Sequence, residues 1–224
     1  MADPDLLNES FEANPGYDDA TWNEDSPGAG SVVDEDNTDI SRPTGGGNQL
    51  LKVQKVSPNF RARPYNDLGG SMAIVYFQGY VNVTAHGLTV DGQELRLIDL
   101  MDNTGNSSIT LKLGRISGAP HFYLSYFENS GFQGYDAGAI NTSQWYQTRL
   151  LYDITNHLYD FQVDGVSQKS GTLREAHRAN VRYIGLGDAV NNYTLTVYYD
   201  LIQVSSTGWL TLPTSWIPKV IGPF

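Results

Sequence analysis

From Trp145 to Trp209 apolar and polar residues alternate in short runs that end at turn residues. Tyr159, Phe161 and Val163 are spaced by Asp160 and Gln162, which puts the three apolar side chains on one face of a half-buried strand. Asp164-Gly165 follows, a pair suited to a two-residue hairpin because both positions take positive φ. The pattern resumes in Val166-Ser167-Gln168. The run from Leu195 to Val204 is β-branched and aromatic, and its length and composition predict a strand deep in the fold. The same reading predicts strands near 49–57, 72–86, 93–102, 107–116, 120–128, 145–155, 158–163, 166–171, 182–187 and 195–206. A first strand near Leu6 to Glu12 brings the number to about ten or eleven. Only 173–180 has a helix-permitting composition, and it is too short for a stable helix by itself. The sum is an all-β, antiparallel sandwich of two sheets.

Composition fits one domain. The chain has 224 residues, 40% apolar and 17% charged, with fourteen tyrosines, as expected of a single large β domain with an aromatic-rich core. Absence of cysteine excludes disulfides, a thiol nucleophile and thiolate metal sites. No apolar run is long enough to span a membrane as a helix, and the N-terminus lacks the layout of a signal peptide. The net charge of −11 has one source: residues 1–48 hold twelve acids and one base, Arg42, and the remainder is neutral. That stretch is rich in Gly, Pro, Asn and Asp and ends in Gly45-Gly46-Gly47, so 13–48 reads as a long acidic loop between the first two strands. Nucleic acid is not an expected partner, because no basic stripe exists to neutralise phosphates.

Trp145-Tyr146 at a strand entrance, the hairpin Val163-Asp164-Gly165-Val166 and the strand Tyr198-Tyr199-Asp200-Leu201-Ile202-Gln203-Val204 resemble the closing half of laminin-G-like, or concanavalin A-like, jelly-roll domains. Leu6 to Glu12 and Gln49 to Val53 resemble the first strand of that family and its partner, so the resemblance runs from Leu6 to Gly208. It implies a jelly-roll sandwich. Function does not follow from it, because this fold carries lectins, hydrolases, lyases and structural domains alike.

Four groups of residues are candidates for chemistry. Asp200 on the last strand, Glu12 on the first, and Asp34 and Asp36 in the acidic segment are oxygen donors of the type calcium requires. In related jelly rolls a structural calcium often ties the first strand to the last, so calcium is the one cofactor expected, if any. Glu94-Leu95-Arg96 and Tyr126-Phe127-Glu128-Asn129 resemble strand motifs of jelly-roll alginate lyases. The Gln-Ile-His or Gln-Val-His tripeptide of those enzymes is absent, however, and so is the glucanase motif with two glutamates flanking an aspartate. His86, His121, His157 and His177 are scattered. The expectation is a protein without catalysis. Tyr126, Phe127, Phe132 and Tyr135, around a Gly-rich segment read as a loop, are the glycan-stacking candidates.

The fourth group points to assembly at an extracellular or particle surface. Asn8, Asn82, Asn106, Asn141 and Asn192 head Asn-X-Ser/Thr sequons and are candidate glycosylation sites. The apolar tail 209–224 carries one charge and two tryptophans. Within it Trp209, Leu210, Trp216, Ile217, Val220, Ile221 and Phe224 are candidates for docking onto a neighbouring copy. The leading expectation from sequence is therefore a non-enzymatic structural subunit that self-associates into a filament, appendage or virion decoration. A carbohydrate-binding, lectin-like module, with calcium as a stabiliser, is the alternative.

Overall fold

The computed structural model describes residues 6–9, 11, 22–24, 31–36, 40, 50–57, 60–128, 131–174, 180–190 and 192–210. Among the described residues fifteen strands are formed: β1 (Leu7–Glu9), β2 (Trp22–Glu24), β3 (Ser31–Asp36), β4 (Leu50–Lys55), β5 (Pro64–Met72), β6 (Ile74–His86), β7 (Glu94–Met101), β8 (Ser107–Ile116), β9 (Ala119–Glu128), β10 (Gly131–Ala139), β11 (Trp145–Asp153), β12 (Leu158–Val163), β13 (Val166–Thr172), β14 (Val181–Leu186) and β15 (Leu195–Ser205). No helix occurs among the described residues, and hence none long and apolar enough to cross a membrane. The strands form two antiparallel sheets, as the alternation predicts. One has eight strands, ordered β13-β12-β11-β6-β15-β4-β3 with β1 also paired to β15, and the other has seven, ordered β10-β9-β8-β7-β14-β5-β2.

The two inner faces supply the core. Val75, Phe77, Val81 and Val83 of β6 alternate inward on the eight-stranded sheet, and Ile109, Leu111 and Leu113 of β8 do so on the other. Asp164 and Gly165 both take positive φ at the β12–β13 turn, as the Asp-Gly pair demands. β15 lies between β6 and β4 and is buried along its length, in agreement with its composition.

Several expected boundaries differ. The acidic segment is not structureless: β2 pairs with β5 and β3 with β4, so the segment supplies an edge strand to each sheet. The Gly-rich segment read as a loop after Glu128 is strand β10, paired to β9. Gly134 in it would place a Cβ on the Tyr123 ring, so glycine there makes room for an aromatic neighbour. β5 was missed because Pro64, Asn66, Asp67 and the Gly69-Gly70 pair depart from strand composition. Its inward residues, Asn66 and Leu68, are nonetheless buried.

Candidate functional site

The outer face of the seven-stranded sheet gathers most of the chemistry-bearing side chains. Strand register arranges them in rows. One row runs Asn23, Tyr65, Gly185, Asp99, Thr110, Ser125 and Gly134 across β2, β5, β14, β7, β8, β9 and β10. The next holds Arg96, Lys112, Tyr123 and Asp136. Side chains in such rows stand side by side at strand spacing, about 5 Å apart.

Asp99 is the centre. It is fully buried, and its Oδ2 accepts from Arg96 Nη1 at 2.5 Å, Ser107 Oγ at 2.9 Å and Arg63 Nη1 at 3.4 Å, while Oδ1 accepts from Thr110 Oγ1 at 2.8 Å. Two guanidinium groups thus share one carboxylate. The neighbouring charges close as pairs: Lys112 Nζ with Glu94 at 2.6 Å, and Arg182 with Asp67 at 2.8 Å. The hydrogen bonds of Arg182 hold the Asp67 carboxyl below its usual range.

Beside Arg63 the face opens into a cleft of roughly 520 Å3, lined by Asn23, Tyr65, Asp67, Met101, Tyr183 and the turn at 103–105. Tyr65 and Tyr183 meet edge to face at 5.9 Å. Gly185, opposite Tyr65 in register, makes room for two of the lining side chains; a Cβ there would stand 3.0 Å from both Arg63 Cδ and Met101 Cε. The turn is held from inside. Asp102 Oδ1 accepts from the Thr104 amide and hydroxyl and from the Asn106 amide at 2.7 to 3.0 Å, so the wall of the cleft is formed before any ligand arrives.

At the other end, His121 Nδ1 lies 2.8 Å from Asp136 Oδ1. Burial works to raise the Asp136 carboxyl, but hydrogen bonds from His121 and the Gly138 amide outweigh it and leave the group below its usual range. Tyr123, in the adjacent row on the same strand, is raised by burial and by the Glu94 charge, so its hydroxyl stays protonated at neutral pH.

The sequence candidates fall on both sides of the sheets. Phe127 and Phe132 lie on this outer face, edge to face at 5.3 Å, with Lys112 Nζ 5.6 Å above the Phe132 ring. Tyr126 and Tyr135 point the other way: Tyr126 is buried against Tyr159 at 4.5 Å, and Tyr135 packs on the core. Glu94 and Arg96 reach the site. Of the histidines only His121 is there. His86 and His157 lie elsewhere, with burial and Arg115 lowering the former, and His177 lies outside the described residues. Arg63, Tyr65, Asp99, Tyr123 and Tyr183 were not anticipated, because alternation within one strand does not say which outward residues the pairing of strands brings together.

Other candidates are placed as follows. Asp200 is fully buried on the outer face of the eight-stranded sheet, opposite Tyr80. Asp34 and Asp36 lie in β3, their side chains outside the described set, as is Glu12. No group of three His, Asp or Glu stands close enough to hold a metal ion among the described residues. Asn106, Asn141 and Asn192 are exposed, Asn82 is buried, and the Asn8 side chain is outside the described set. The Trp209 ring lies against Tyr76 at 5.2 Å with the Arg149 guanidinium 5.5 Å above it, and Leu210 is buried. Trp216, Ile217, Val220, Ile221 and Phe224 lie outside the described residues.

No protein-family description matches the chain, and no curated protein resembles it in sequence. Solved structures do share its architecture. The chain is similar to "Cellulose induced protein, Cip1" at 16% identity and TM-score 0.66, covering 90% of this chain and 97% of that one. It is similar to a sialidase at 14% identity and TM-score 0.65, covering 90% of this chain but only 18% of that one. Alginate lyase AlyC3 follows at 10% identity and TM-score 0.56, with 70% and 75% covered. The binding domain of Botulinum neurotoxin DC in complex with SialylT matches at 10% identity and TM-score 0.58, with 91% and 48% covered. At these identities the likeness establishes the fold, a concanavalin A-like jelly-roll sandwich, and nothing finer. It also corrects the expectation of a protein without catalysis: the sandwich is shared with alginate lyases and a sialidase, so missing tripeptides are no ground for excluding chemistry at this face.

Proposed function

We propose that the chain binds a carboxylated polysaccharide across the outer face of the seven-stranded sheet. The observation that carries this reading is the Arg63–Asp99–Arg96 arrangement beside the Tyr65–Tyr183 cleft. Tyrosine faces bury the C–H surface of a sugar ring, and the guanidinium groups beside them receive an anionic substituent through charge-assisted hydrogen bonds. The structural neighbours include proteins whose names concern acidic sugars: a sialidase, an alginate lyase in complex with dimannuronate, and a toxin domain in complex with SialylT. Phe127 and Phe132 extend the apolar contact toward β10. The test is calorimetric titration of the full chain with oligomannuronate and with a neutral cello-oligosaccharide. The expected result is selective binding of the former, weakened about tenfold by Arg63→Met, a loss of about 1.4 kcal/mol. Equal binding of both glycans, or of neither, would sink the reading.

A second reading, cleavage of the bound chain by β-elimination, is favoured by His121 and Tyr123 on one strand of this face. His121, oriented by Asp136, would take the proton next to the carboxylate. As the C–H and glycosidic C–O bonds break and a C=C bond forms, Tyr123, kept protonated by burial, would give its proton to the leaving oxygen. Ultraviolet absorbance of unsaturated uronate ends measures this directly. Its absence with bound oligomannuronate would restrict the chain to recognition.

A further inference from the structure

Strand β7 places its outward residues in two blocks, Glu94 and Arg96 first, then Asp99 and Met101. The odd spacing between Arg96 and Asp99 is incompatible with simple alternation, which would turn one of them into the core. The register shows the cause. Arg96 opposes Lys112 and Ile98 opposes Leu111, so Leu97 is an extra residue, a β-bulge. Leu97 and Ile98 are consecutive, yet both are fully buried.

Groups from both sheets hold this bulge. Asp188 Oδ1 accepts from the Arg96 amide at 3.1 Å. The Leu97 carbonyl accepts from the Gly187 amide at 2.8 Å and from the Tyr199 hydroxyl of β15 at 2.5 Å. Asp188 is itself anchored across the sandwich, its Oδ2 lying 2.8 Å from Lys55 Nζ of β4, with side-chain exposures of 0% and 1%. A fully buried ion pair is costly to desolvate, and a well-packed apolar pair is often as stable in its place. Retention of this pair suits a role in geometry more than one in stability.

We infer that Asp188, fixed by Lys55 and assisted by Tyr199, is a positioning residue for glycan recognition: it pins the β7 bulge so that Arg96 and Asp99 share the outer face. This rests on the proposed function for its ligand, though not for its structural readout. Bulges re-aim side chains beside functional sites, and here the re-aimed side chain is one of the two guanidiniums on Asp99.

Two double variants separate the acceptor from the charge. K55M/D188N removes both charges but keeps a side-chain oxygen for the Arg96 amide; K55M/D188A removes the oxygen as well. With folding checked by circular dichroism, oligomannuronate is expected to bind K55M/D188A about tenfold more weakly than K55M/D188N. Equal affinities overturn the inference. If K55M/D188A does not fold, Tyr199→Phe against the unaltered chain makes the same comparison, and unchanged affinity there overturns it. If the unaltered chain binds no oligomannuronate, the proposed function falls while the brace is still decided by NMR. The Arg96 Nε–H resonance and amide exchange at Arg96 and Leu97 should differ between the two double variants, and identical behaviour overturns it.

Discussion

The two outer faces of the sandwich carry similar residue types and put them to different uses. On the eight-stranded sheet Gln78, Tyr80, Asn82, Asp200 and Gln203 point outward but are almost wholly buried. Gln78 Nε2 donates to Gln203 Oε1 at 2.7 Å, and burial raises the Tyr80 hydroxyl to about 12. On the seven-stranded sheet an equally polar set surrounds an open cleft, with its charges already paired or shared. A polar outward row is therefore no sign of a binding face. Access and preorganised charge make the difference, and neither shows in the alternation of a strand.

Removing the hub of the open face should have the largest effect. Asp99→Ala leaves Arg63 and Arg96 facing each other, 13% and 22% exposed, without the carboxylate that joins them. Breaking a buried pair from one side costs several kcal/mol, and about 3 kcal/mol is expected here, read from the urea midpoint. Gln78→Met, at an equally buried position on the closed face, should cost about 1 kcal/mol and leave glycan titrations unchanged. Equal losses from the two substitutions would abolish the distinction between the faces.

Next comes Trp209, which lies on the closed face. Trp209→Ala removes an edge-to-face contact with Tyr76 and the stacking of Arg149. The ring is only partly buried, so the loss should be about 2 kcal/mol, below that of a fully buried tryptophan. Light scattering on the same variant bears on assembly. A stability loss with unchanged mass means that this tryptophan serves its own domain, whereas a loss of oligomers would give the tail a neighbour to dock on.

How much of this could be read from sequence depends on the type of strand. β12 was legible because Tyr159, Phe161 and Val163 keep a strict period of two, β13 because Asp164-Gly165 marks the turn before it, and β15 because it is a long β-branched and aromatic run. β5 and β10 were not: both are rich in glycine and polar residues and resemble loops in composition. The site suffered from the same ambiguity. Phe127 and Phe132 were found, but Tyr126 and Tyr135, their neighbours in sequence, face the core, because alternation alone does not say which face is inner. One overlooked signal existed. Leu95, Leu97, Ile98 and Leu100 change phase at adjacent apolar residues, which marks the bulge and places Arg96 and Asp99 on a common face.

A smaller effect is expected from Phe132→Ala. The side chain is 57% exposed, so stability should change by no more than about 0.5 kcal/mol. Oligomannuronate affinity should fall about fivefold, close to 1 kcal/mol, if this ring extends the stacking surface. An unchanged dissociation constant would confine recognition to the Tyr65–Tyr183 end.

The smallest effect belongs to the His121–Asp136 pair and appears only as a dependence on pH. The Asp136 carboxyl is held below its usual range in the folded chain, so the folded state binds this proton less readily than the unfolded state does. Its contribution is complete above the unfolded value of about 3.9 and is lost as pH falls from there through the folded value. Asp136→Asn should therefore flatten the acid limb of the stability curve below about pH 4. Since Asp136 is 40% exposed, solvent screening keeps the difference at neutral pH under about 1 kcal/mol. Asp67→Asn, at the cleft end, should act in the same direction, because Arg182 lowers that carboxyl too. Turnover separates the two ends. If the chain cleaves oligomannuronate, Asp136→Asn lowers kcat by releasing the orientation of His121, whereas Asp67→Asn acts on KM. If both substitutions alter KM alone, the two ends of the face share one task, binding.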